Sequence, residues 1–292
     1  MNLDLRRRFF AEEIEAVARL RSAHLVDAFA SVPRERFLPP GPWAIISDGD
    51  VGMGLGMGGV KTRSTVDADP ARVCHNISIA IDDARMLFNG QPATVGAWID
   101  ALNVTRGARV LHVGSGLGYY TALMAHCVGS EGRVVAFEAD EELAQSARAN
   151  LSSMPWVDLR ASSDAAAPGE TFDAILVNAG MTHPLQAWLD ALAIRGRMIL
   201  PLTSTMPAMA HVGKGLVLLV TRESEDHYSA RVTGFAVIYS ALGLRDRALN
   251  DRLGQSLAGG PQKWMGIARL RRDPHDPSAF CWLHDAAFCL SS

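Results

Sequence analysis

The chain has 292 residues, of which 48% are hydrophobic and 20% are charged, a composition that excludes disordered, collagen-like and coiled-coil chains. Its 28 basic and 31 acidic residues leave a net charge of -3, so no nucleic-acid partner is expected, because binding to a polyanion draws on excess positive charge. No stretch supplies the roughly 20 apolar residues that a membrane span needs, and acidic residues stand where a signal peptide would be apolar. We therefore expect a cytoplasmic protein without membrane contact.

Residues 1–80 are predicted to form an N-terminal helical cap followed by a loop. Apolar side chains recur at helical intervals across residues 9–29, before the turn at Pro33, and this pattern predicts one or two amphipathic helices. Residues 46–69 are rich in Gly and Met and follow neither the helical nor the strand period, so they are expected to form a loop. A phosphate-binding loop is disfavoured there, because the sequence shows no strand pattern before the glycines and no helix with Lys-Ser or Lys-Thr after them.

Residues 81–243 alternate between strand and helix patterns, from a helical stretch after Pro92 to the strand that ends at Pro201. This alternation predicts an α/β fold with a doubly wound, mostly parallel sheet. Two apolar β runs after Pro201 have no helix between them and predict an antiparallel pair at a sheet edge. Residues 244–292 follow no regular pattern and are treated as a C-terminal extension.

The four cysteines predict neither a disulfide framework nor a metal site. Cys74, Cys127, Cys281 and Cys289 form no C-x-x-C pair, and no ligand spacing typical of zinc accompanies them. Free thiols are therefore expected.

A buried strand ending in glycines at every second position is the sharpest signal for a ligand. Gly114, Gly116 and Gly118 follow the strand VLHV, and a dinucleotide-binding loop would need a third glycine at the position of Tyr119. This spacing disfavours NAD and favours S-adenosylmethionine, which carries no phosphate. Glu138 ends the next strand, 20 residues after Gly118, where a carboxylate can accept both ribose hydroxyls.

Several segments resemble the protein-L-isoaspartate O-methyltransferase family, within the class I S-adenosylmethionine-dependent methyltransferases. Residues 32–39 (VPRERFLP), 109–119 (RVLHVGSGLGY) and 196–201 (GRMILP) are similar to the family segments V-P-R-E-x-F-V-P, R-V-L-E-I-G-T-G-S-G-Y and G-G-R-L-V-x-P. The resemblance covers residues 20–43 and 80–243, and it implies a sheet of seven strands. Together with the glycine spacing it predicts cofactor contacts by His112, Gly114, Ser115, Gly116, Gly118, Tyr119, Glu138, Ala139, Asp164 and Asn178, with Asp164 placed to receive the adenine amino group.

The acceptor side departs from the family pattern. Residues 88–92 (FNGQP) stand where the family has T-I-S-Q-P, so Phe88 and Gly90 replace two hydroxyl side chains. We expect Gly90 to leave space for the acceptor and name Asn89, Gly90 and Asn178 as candidate substrate-side residues. His112 stands where the family usually has Glu.

The expected activity is methylation of a carboxylate on a small molecule or peptide, which needs no general base because a carboxyl with a pKa of about 4 is ionised at neutral pH. An amine or hydroxyl acceptor usually requires a base, for which His75, Asp82, Asp83 and His183 are candidates without an assignment. The alternatives are a small-molecule O- or N-methyltransferase and a non-catalytic module that binds the cofactor. The missing hydroxyls predict that ordinary isoaspartyl peptides are poor substrates.

Overall fold

The computed structural model describes residues 2–46, 62–206 and 209–292. The chain begins with helices α1 (Leu3–Ala18) and α2 (Ala23–Ser31), and the side chains of Asn2 and Ser22 accept backbone hydrogen bonds at their N-termini. A short 3₁₀ turn, Arg34–Phe37, follows. The predicted helices of the N-terminal cap are confirmed.

A small antiparallel sheet follows these helices, which the sequence did not predict. Its strands are β1 (Ala44–Ile46), β2 (Arg63–Ser64), β3 (Ser78–Asp82) and β4 (Leu87–Phe88), in the order β2-β1-β3-β4. A 3₁₀ turn, Pro70–Val73, lies between β2 and β3. None of these strands exceeds five residues, so a period of two has little length in which to show. Most of the Gly- and Met-rich stretch, residues 47–61, lies outside the described residues.

The centre of the molecule is a parallel sheet flanked by helices. Its elements are α3 (Pro92–Leu102), β5 (Arg109–Val113), α4 (Tyr119–Val128), β6 (Arg133–Glu138), α5 (Glu141–Asn150), β7 (Val157–Ala161), β8 (Phe172–Val177), α6 (Gln186–Ala191) and β9 (Leu192–Met206). The strands pair in parallel in the order β7-β6-β5-β8-β9. The predicted alternation of strands and helices is confirmed.

Both faces of this sheet are buried. Val110 and Val134 belong to a hydrophobic cluster with side chains from α1 to α4, whereas their neighbours Leu111 and Val135 belong to a second cluster with α6. Alternate residues of a strand point to opposite faces, which explains why the strands read as continuous apolar runs.

Antiparallel strands extend the sheet beyond β9. Strand β10 (Met209–Arg222) pairs with β9 on one side and with β11 (Tyr228–Tyr239) on the other. The chain then continues through α7 (Arg247–Ala258), α8 (Pro261–Trp264), β12 (Arg269–Arg271), β13 (Cys281–His284) and β14 (Cys289–Ser291). The ten strands lie in the order β13-β14-β12-β11-β10-β9-β8-β5-β6-β7.

The fold class is therefore confirmed, with two differences in detail. The sheet has ten strands, three more than expected, and the β10–β11 pair is internal because β12 continues the sheet at Tyr228 and Ser229. The added strands are three or four residues long, too short for a strand pattern to be recognised. The division at residues 80 and 243 stays a prediction. In the described part of the chain, no helix combines the length and hydropathy that crossing a bilayer demands.

Candidate cofactor and acceptor site

The glycine loop after β5 adopts a backbone that favours glycine at each of its three positions. Gly114, Gly116 and Gly118 have φ angles of 80°, 55° and 94°, a region in which other residues are strained. At Gly114 a side chain would also meet the backbone, since an added Cβ would lie 3.1 Å from the carbonyl oxygen of Asn178. The repeat of glycine at every second position therefore follows from the turn of the chain out of the sheet.

Glu138 closes this loop from the end of the neighbouring strand. Its Oε2 accepts a hydrogen bond from the Gly116 N–H at 2.7 Å, and its Oε1 accepts one from the Asp140 N–H at 3.1 Å. Burial raises the pKa of the Glu138 carboxyl, and the backbone donors oppose that rise. A carboxylate has about four acceptor positions, so capacity is left for the ribose hydroxyls of the cofactor.

The hairpin formed by β3 and β4 (residues 78–88, here the β3–β4 hairpin) lies over the glycine loop. An added Cβ on Gly116 would meet Ile81 Cδ1 at 3.4 Å. At the hairpin turn, Arg85 forms ion pairs with Asp82, at 2.5 Å, and with Asp140. The Tyr239 hydroxyl on β11 donates to the Arg85 carbonyl oxygen at 3.2 Å. The hairpin is thus attached both to the end of β6 and to the antiparallel part of the sheet.

A buried arginine joins the N-terminal cap to the hairpin. Arg34 is 2% exposed, and its guanidinium donates to the carbonyl oxygens of Val73, His75 and Ile77 at 2.7 to 3.0 Å. It also donates to Asn89 Oδ1 at 3.3 Å. The sequence assigns Arg34 no role, because VPRERFLP also contains Arg36 and nothing in the segment distinguishes the buried arginine from the exposed one.

Within the part of the chain that the structure describes, the side-chain amide of Asn89 forms hydrogen bonds through its oxygen atom only. Its Oδ1 accepts from the Ile79 N–H at 2.9 Å and from Arg34. Its Nδ2 is buried and has no hydrogen-bond partner among the described residues. A buried amide donor is costly when it is unpaired, so Nδ2 is a polar atom of this segment whose hydrogen bond the described residues do not supply.

The expectation that Gly90 leaves space for the acceptor is wrong. An added Cβ would lie 2.6 Å from Cγ2 of the buried Val95 and 3.8 Å from the Tyr120 ring. The Gly90 carbonyl oxygen accepts a hydrogen bond from the Tyr120 hydroxyl. Glycine is therefore needed at this position because helices α3 and α4 pack closely against the backbone.

Two of the predicted cofactor residues have side chains in the protein interior. His112 is fully buried and its Nδ1 lies 2.8 Å from Thr121 Oγ1; burial lowers the pKa of this histidine to about 3, so the ring is neutral. Tyr119 packs its ring against Phe29 and Phe37 under the N-terminal helices. For Tyr119, the predicted cofactor contact is thus restricted to the backbone.

The other predicted cofactor residues lie at the same edge of the sheet as the glycine loop. Ser115 is in the loop and its buried Oγ has no partner in the described part of the chain. Ala139 follows β6 and is exposed, while Asn178 follows β8 and its N–H donates to the Val113 carbonyl oxygen at 2.8 Å. Asp164 is exposed after β7 and accepts from Ser162 Oγ at 2.7 Å. Ligands of open α/β sheets bind at the carboxyl ends of the strands, and these residues lie at that edge of the sheet.

The four candidate bases lie in different settings. Asp82 is paired with Arg85, and hydrogen bonds from Arg85 lower the pKa of its carboxyl. His75 and Asp83 are exposed. His183 faces the C-terminal extension, where it lines a cavity of about 360 Å³ whose other walls include Asp246, Leu249, Arg252, Asp285 and Phe288. The structure does not bring the four together.

Three features together define a class I S-adenosylmethionine-dependent methyltransferase. They are a parallel α/β sheet, a glycine loop with three left-handed backbone positions, and a buried carboxylate at the end of the next strand. Within that class, the model of the protein-L-isoaspartate(D-aspartate) O-methyltransferase family matches residues 72–225, more than half of the chain. The chain belongs to this family. It is an S-adenosylmethionine-dependent O-methyltransferase, as the sequence predicted.

Individual relatives support the same assignment. The chain is 33% identical to a protein-L-isoaspartate O-methyltransferase of Methylorubrum extorquens over 80% of its own length and 89% of that protein. It is 32% identical to the enzyme of the same name from Gloeobacter violaceus over 60% and 71% of the two chains.

Among solved structures, a protein-L-isoaspartate O-methyltransferase superposes with a TM-score of 0.61 at 20% identity, over 84% of this chain and 69% of the other. A putative family member from Plasmodium falciparum, in complex with S-adenosyl-L-homocysteine, gives a TM-score of 0.58 at 15% identity, over 80% and 97% of the two chains. At these identities the two structures show the shared fold.

Proposed function

We propose that this methyltransferase esterifies a carboxylate on a peptide or protein. The observation that carries the proposal is the setting of the candidate bases: Asp82 is held in an ion pair, and His183 lies against the C-terminal extension. Buried His112 has a pKa of about 3 and its Nδ1 is bonded to Thr121. A carboxylate acceptor is ionised already and needs none of these groups.

The chemistry requires mainly alignment. S-adenosylmethionine supplies a methyl group on a positively charged sulfur, and an acceptor oxygen displaces the sulfur in line. The protein holds the two reactants in that geometry and excludes water. Glu138 and the glycine loop hold the cofactor side, while the β3–β4 hairpin covers the loop from the side on which Asn89 and Gly90 lie.

Asn89 is the acceptor-side donor in this proposal, with Asn178 as a second candidate. The side chains at 88 and 90 lack the hydroxyls of the family pattern, and two lost hydrogen bonds of about 0.5 to 1.5 kcal/mol each lower efficiency roughly 10- to 100-fold. The curated relatives are named for isoaspartate, so isoaspartyl peptides are the natural first acceptor. We propose that ordinary isoaspartyl peptides are methylated weakly and that a different peptide or protein carboxylate is preferred.

Transfer of labelled methyl groups tests the acceptor. The protein is incubated with methyl-labelled S-adenosylmethionine and, separately, with an isoaspartyl peptide, an aged protein mixture and a metabolite extract. Methyl esters release methanol in mild alkali, whereas N-methyl and aryl O-methyl groups do not. Alkali-stable label would contradict the carboxylate acceptor, and efficient turnover of the generic isoaspartyl peptide would contradict the altered preference. Label found in the metabolite extract alone would favour a small-molecule acceptor.

An isosteric variant tests the role of Asn89. Asn89→Asp keeps the oxygen that accepts from Ile79 and Arg34 but removes the amide donor and adds a negative charge. We expect methyl transfer to fall at least about tenfold, since a donor to a charged acceptor is replaced by repulsion, while S-adenosylhomocysteine binds with unchanged affinity. Asn103→Asp, at an exposed site after α3, is the matched control and should keep full activity.

A further inference from the structure

The C-terminal extension brings together four side chains that are typical metal ligands. His275, Cys281, His284 and Cys289 each offer one ligand atom, and these atoms all lie within 4.8 Å of one another. We call this group the C-terminal His–Cys cluster. No metal site was predicted from the sequence because the cysteines form no C-x-x-C pair; the four residues instead follow the spacing H-x5-C-x2-H-x4-C within 15 positions.

The β13–β14 hairpin places three of the four ligands on one face. His284 and Cys289 are directly paired across the two strands, as are their neighbours Leu283 and Leu290. Leu283 and Leu290 point into the hydrophobic core, so His284 and Cys289 lie on the opposite face. Cys281 would point away from that face in a regular strand, but the register shifts between Cys281 and Leu283, and such an irregularity re-aims a side chain.

The segment before β13 supplies the fourth ligand. His275 Nε2 lies 3.8 Å from Cys281 Sγ, and the two histidine rings lie nearly edge to face with centroids 4.7 Å apart. In a tetrahedral zinc site with bonds of about 2.0 to 2.3 Å, ligand atoms are separated by roughly 3.3 to 3.8 Å. The cluster is therefore close to the geometry that an ion would impose.

The hydrogen bonds of His275 and Cys281 match those of metal ligands. His275 Nδ1 lies 2.8 Å from the Asp273 carbonyl oxygen, which fixes the tautomer that leaves Nε2 free to bind an ion. The Ser278 N–H donates to Cys281 Sγ at 3.4 Å. Nδ1 of His284 is buried and has no partner among the described residues.

We propose that the C-terminal His–Cys cluster binds one Zn²⁺ ion. Two thiolates neutralise the charge of the ion, and two imidazoles complete a tetrahedral S₂N₂ set that selects zinc among the common divalent metals. Four protein ligands leave no open position, so the site is structural. This role agrees with the topology, since β12, β11, β10, β9 and β8 separate the β13–β14 hairpin from β5 and its glycine loop. The ion fastens the segment that contains His275 to the β13–β14 hairpin at the end of the sheet.

Metal content tests the proposal on the full-length chain. The protein is produced with added zinc, passed through a desalting column and analysed by inductively coupled plasma mass spectrometry. We expect about one zinc ion per chain, and a loss of roughly tenfold or more in the double variant Cys281→Ser/His284→Ala. Cys74→Ser and His24→Ala remove a thiol and an imidazole elsewhere, and both should keep their zinc.

A measurement on the unaltered chain covers the case in which the double variant does not fold. Cobalt is exchanged for zinc, and visible absorption is recorded, because tetrahedral cobalt with thiolate ligands gives intense bands that cobalt bound to surface carboxylates lacks. Strong bands that zinc abolishes at one equivalent support the site. Absence of stoichiometric zinc in the unaltered chain, a cobalt spectrum without thiolate bands, or a Cys281–Cys289 disulfide found by mass spectrometry under non-reducing conditions would each overturn the proposal.

Discussion

Glu138 Oε2 accepts a hydrogen bond from the backbone N–H of Gly116 at 2.7 Å. This contact joins the carboxyl end of β6 to the loop that follows β5, so one side chain shapes the glycine loop, and we propose that the same side chain offers acceptors to the cofactor. Because Glu138 is only 9% exposed, the interactions of its carboxyl group are weakly screened by water.

We expect Glu138→Ala to weaken binding of S-adenosylhomocysteine by about 1.5 to 3 kcal/mol, which is roughly 10- to 150-fold in Kd, since hydrogen bonds to a charged group are lost. Isothermal titration calorimetry measures the change directly. Glu142→Ala, at an exposed site in the first turn of α5, should leave the affinity unchanged. Equal affinities for Glu138→Ala and the unaltered chain, together with an unchanged circular dichroism spectrum that shows the variant is folded, would show that Glu138 does not hold the ribose.

Gly118→Ala is expected to destabilise the fold by about 2 kcal/mol or more. The φ angle of 94° is strained for alanine, and the new Cβ would lie 2.9 Å from Cδ1 of the buried Leu151. Gly234→Ala is the matched control, because nothing lies within 4 Å of its added Cβ, and its effect should stay within about 0.5 kcal/mol. Urea denaturation measures both variants, and similar midpoints for the two would argue against strain at Gly118.

The parallel core of the fold follows from the sequence because its elements are long enough to show a period. Strand β6 and helix α5, for example, differ clearly in the spacing of apolar residues. The small sheet and the C-terminal strands could not be predicted, since β2 and β14 have only two and three residues. Such strands are stabilised by pairing with partners distant in the chain, which leaves little local signal.

The candidate site, like the fold, could be predicted from the sequence only in part. The positions of Gly116 in a strand-to-helix turn and of Glu138 at the end of the next strand could be predicted from the strand pattern, while their contact with a nucleoside-type ligand stays a prediction. The close approach of Val95 to Gly90 depends on how α3 packs, so the expectation of open space there failed. The His–Cys cluster depends on the register of β13 and β14, which spacing along the chain does not reveal.

Replacement of the buried Arg34 by methionine should destabilise the fold by about 3 kcal/mol or more. The carbonyl oxygens of Val73, His75 and Ile77 would lose their donor, and buried unpaired acceptors cost about 1 to 3 kcal/mol each. Arg36→Met changes an exposed arginine of the same VPRERFLP segment and should have little effect. Chemical denaturation compares the two, and equal stability would show that water replaces the guanidinium at these carbonyls.

Arg85→Ala should loosen the β3–β4 hairpin over the glycine loop without unfolding the protein. Its ion pairs with Asp82 and Asp140 are partly exposed, so they contribute little to global stability. We expect S-adenosylhomocysteine to dissociate several-fold faster in stopped-flow fluorescence, with a smaller effect at high salt, where the pairs are screened. Arg72→Ala, which breaks the exposed pair with Asp67, is the control. An unchanged dissociation rate for Arg85→Ala would mean that the hairpin does not retain the cofactor.

The buried His112 should make stability fall as the solution is acidified below neutral pH. Burial lowers its pKa from 6.5 to about 3 in the folded chain, so between these values the unfolded chain binds the proton and stability rises with pH. The contribution of His112 to the free energy of unfolding is complete above pH 6.5. About 2 kcal/mol of this contribution is lost by pH 5, at about 1.4 kcal/mol per pH unit. Urea denaturation from pH 5 to 7 should therefore give a shallower slope of unfolding free energy against pH for His112→Gln than for the unaltered chain. His24→Gln, at an exposed site on α2, should keep the original slope, and parallel lines for all three proteins would show that His112 is protonated equally in both states.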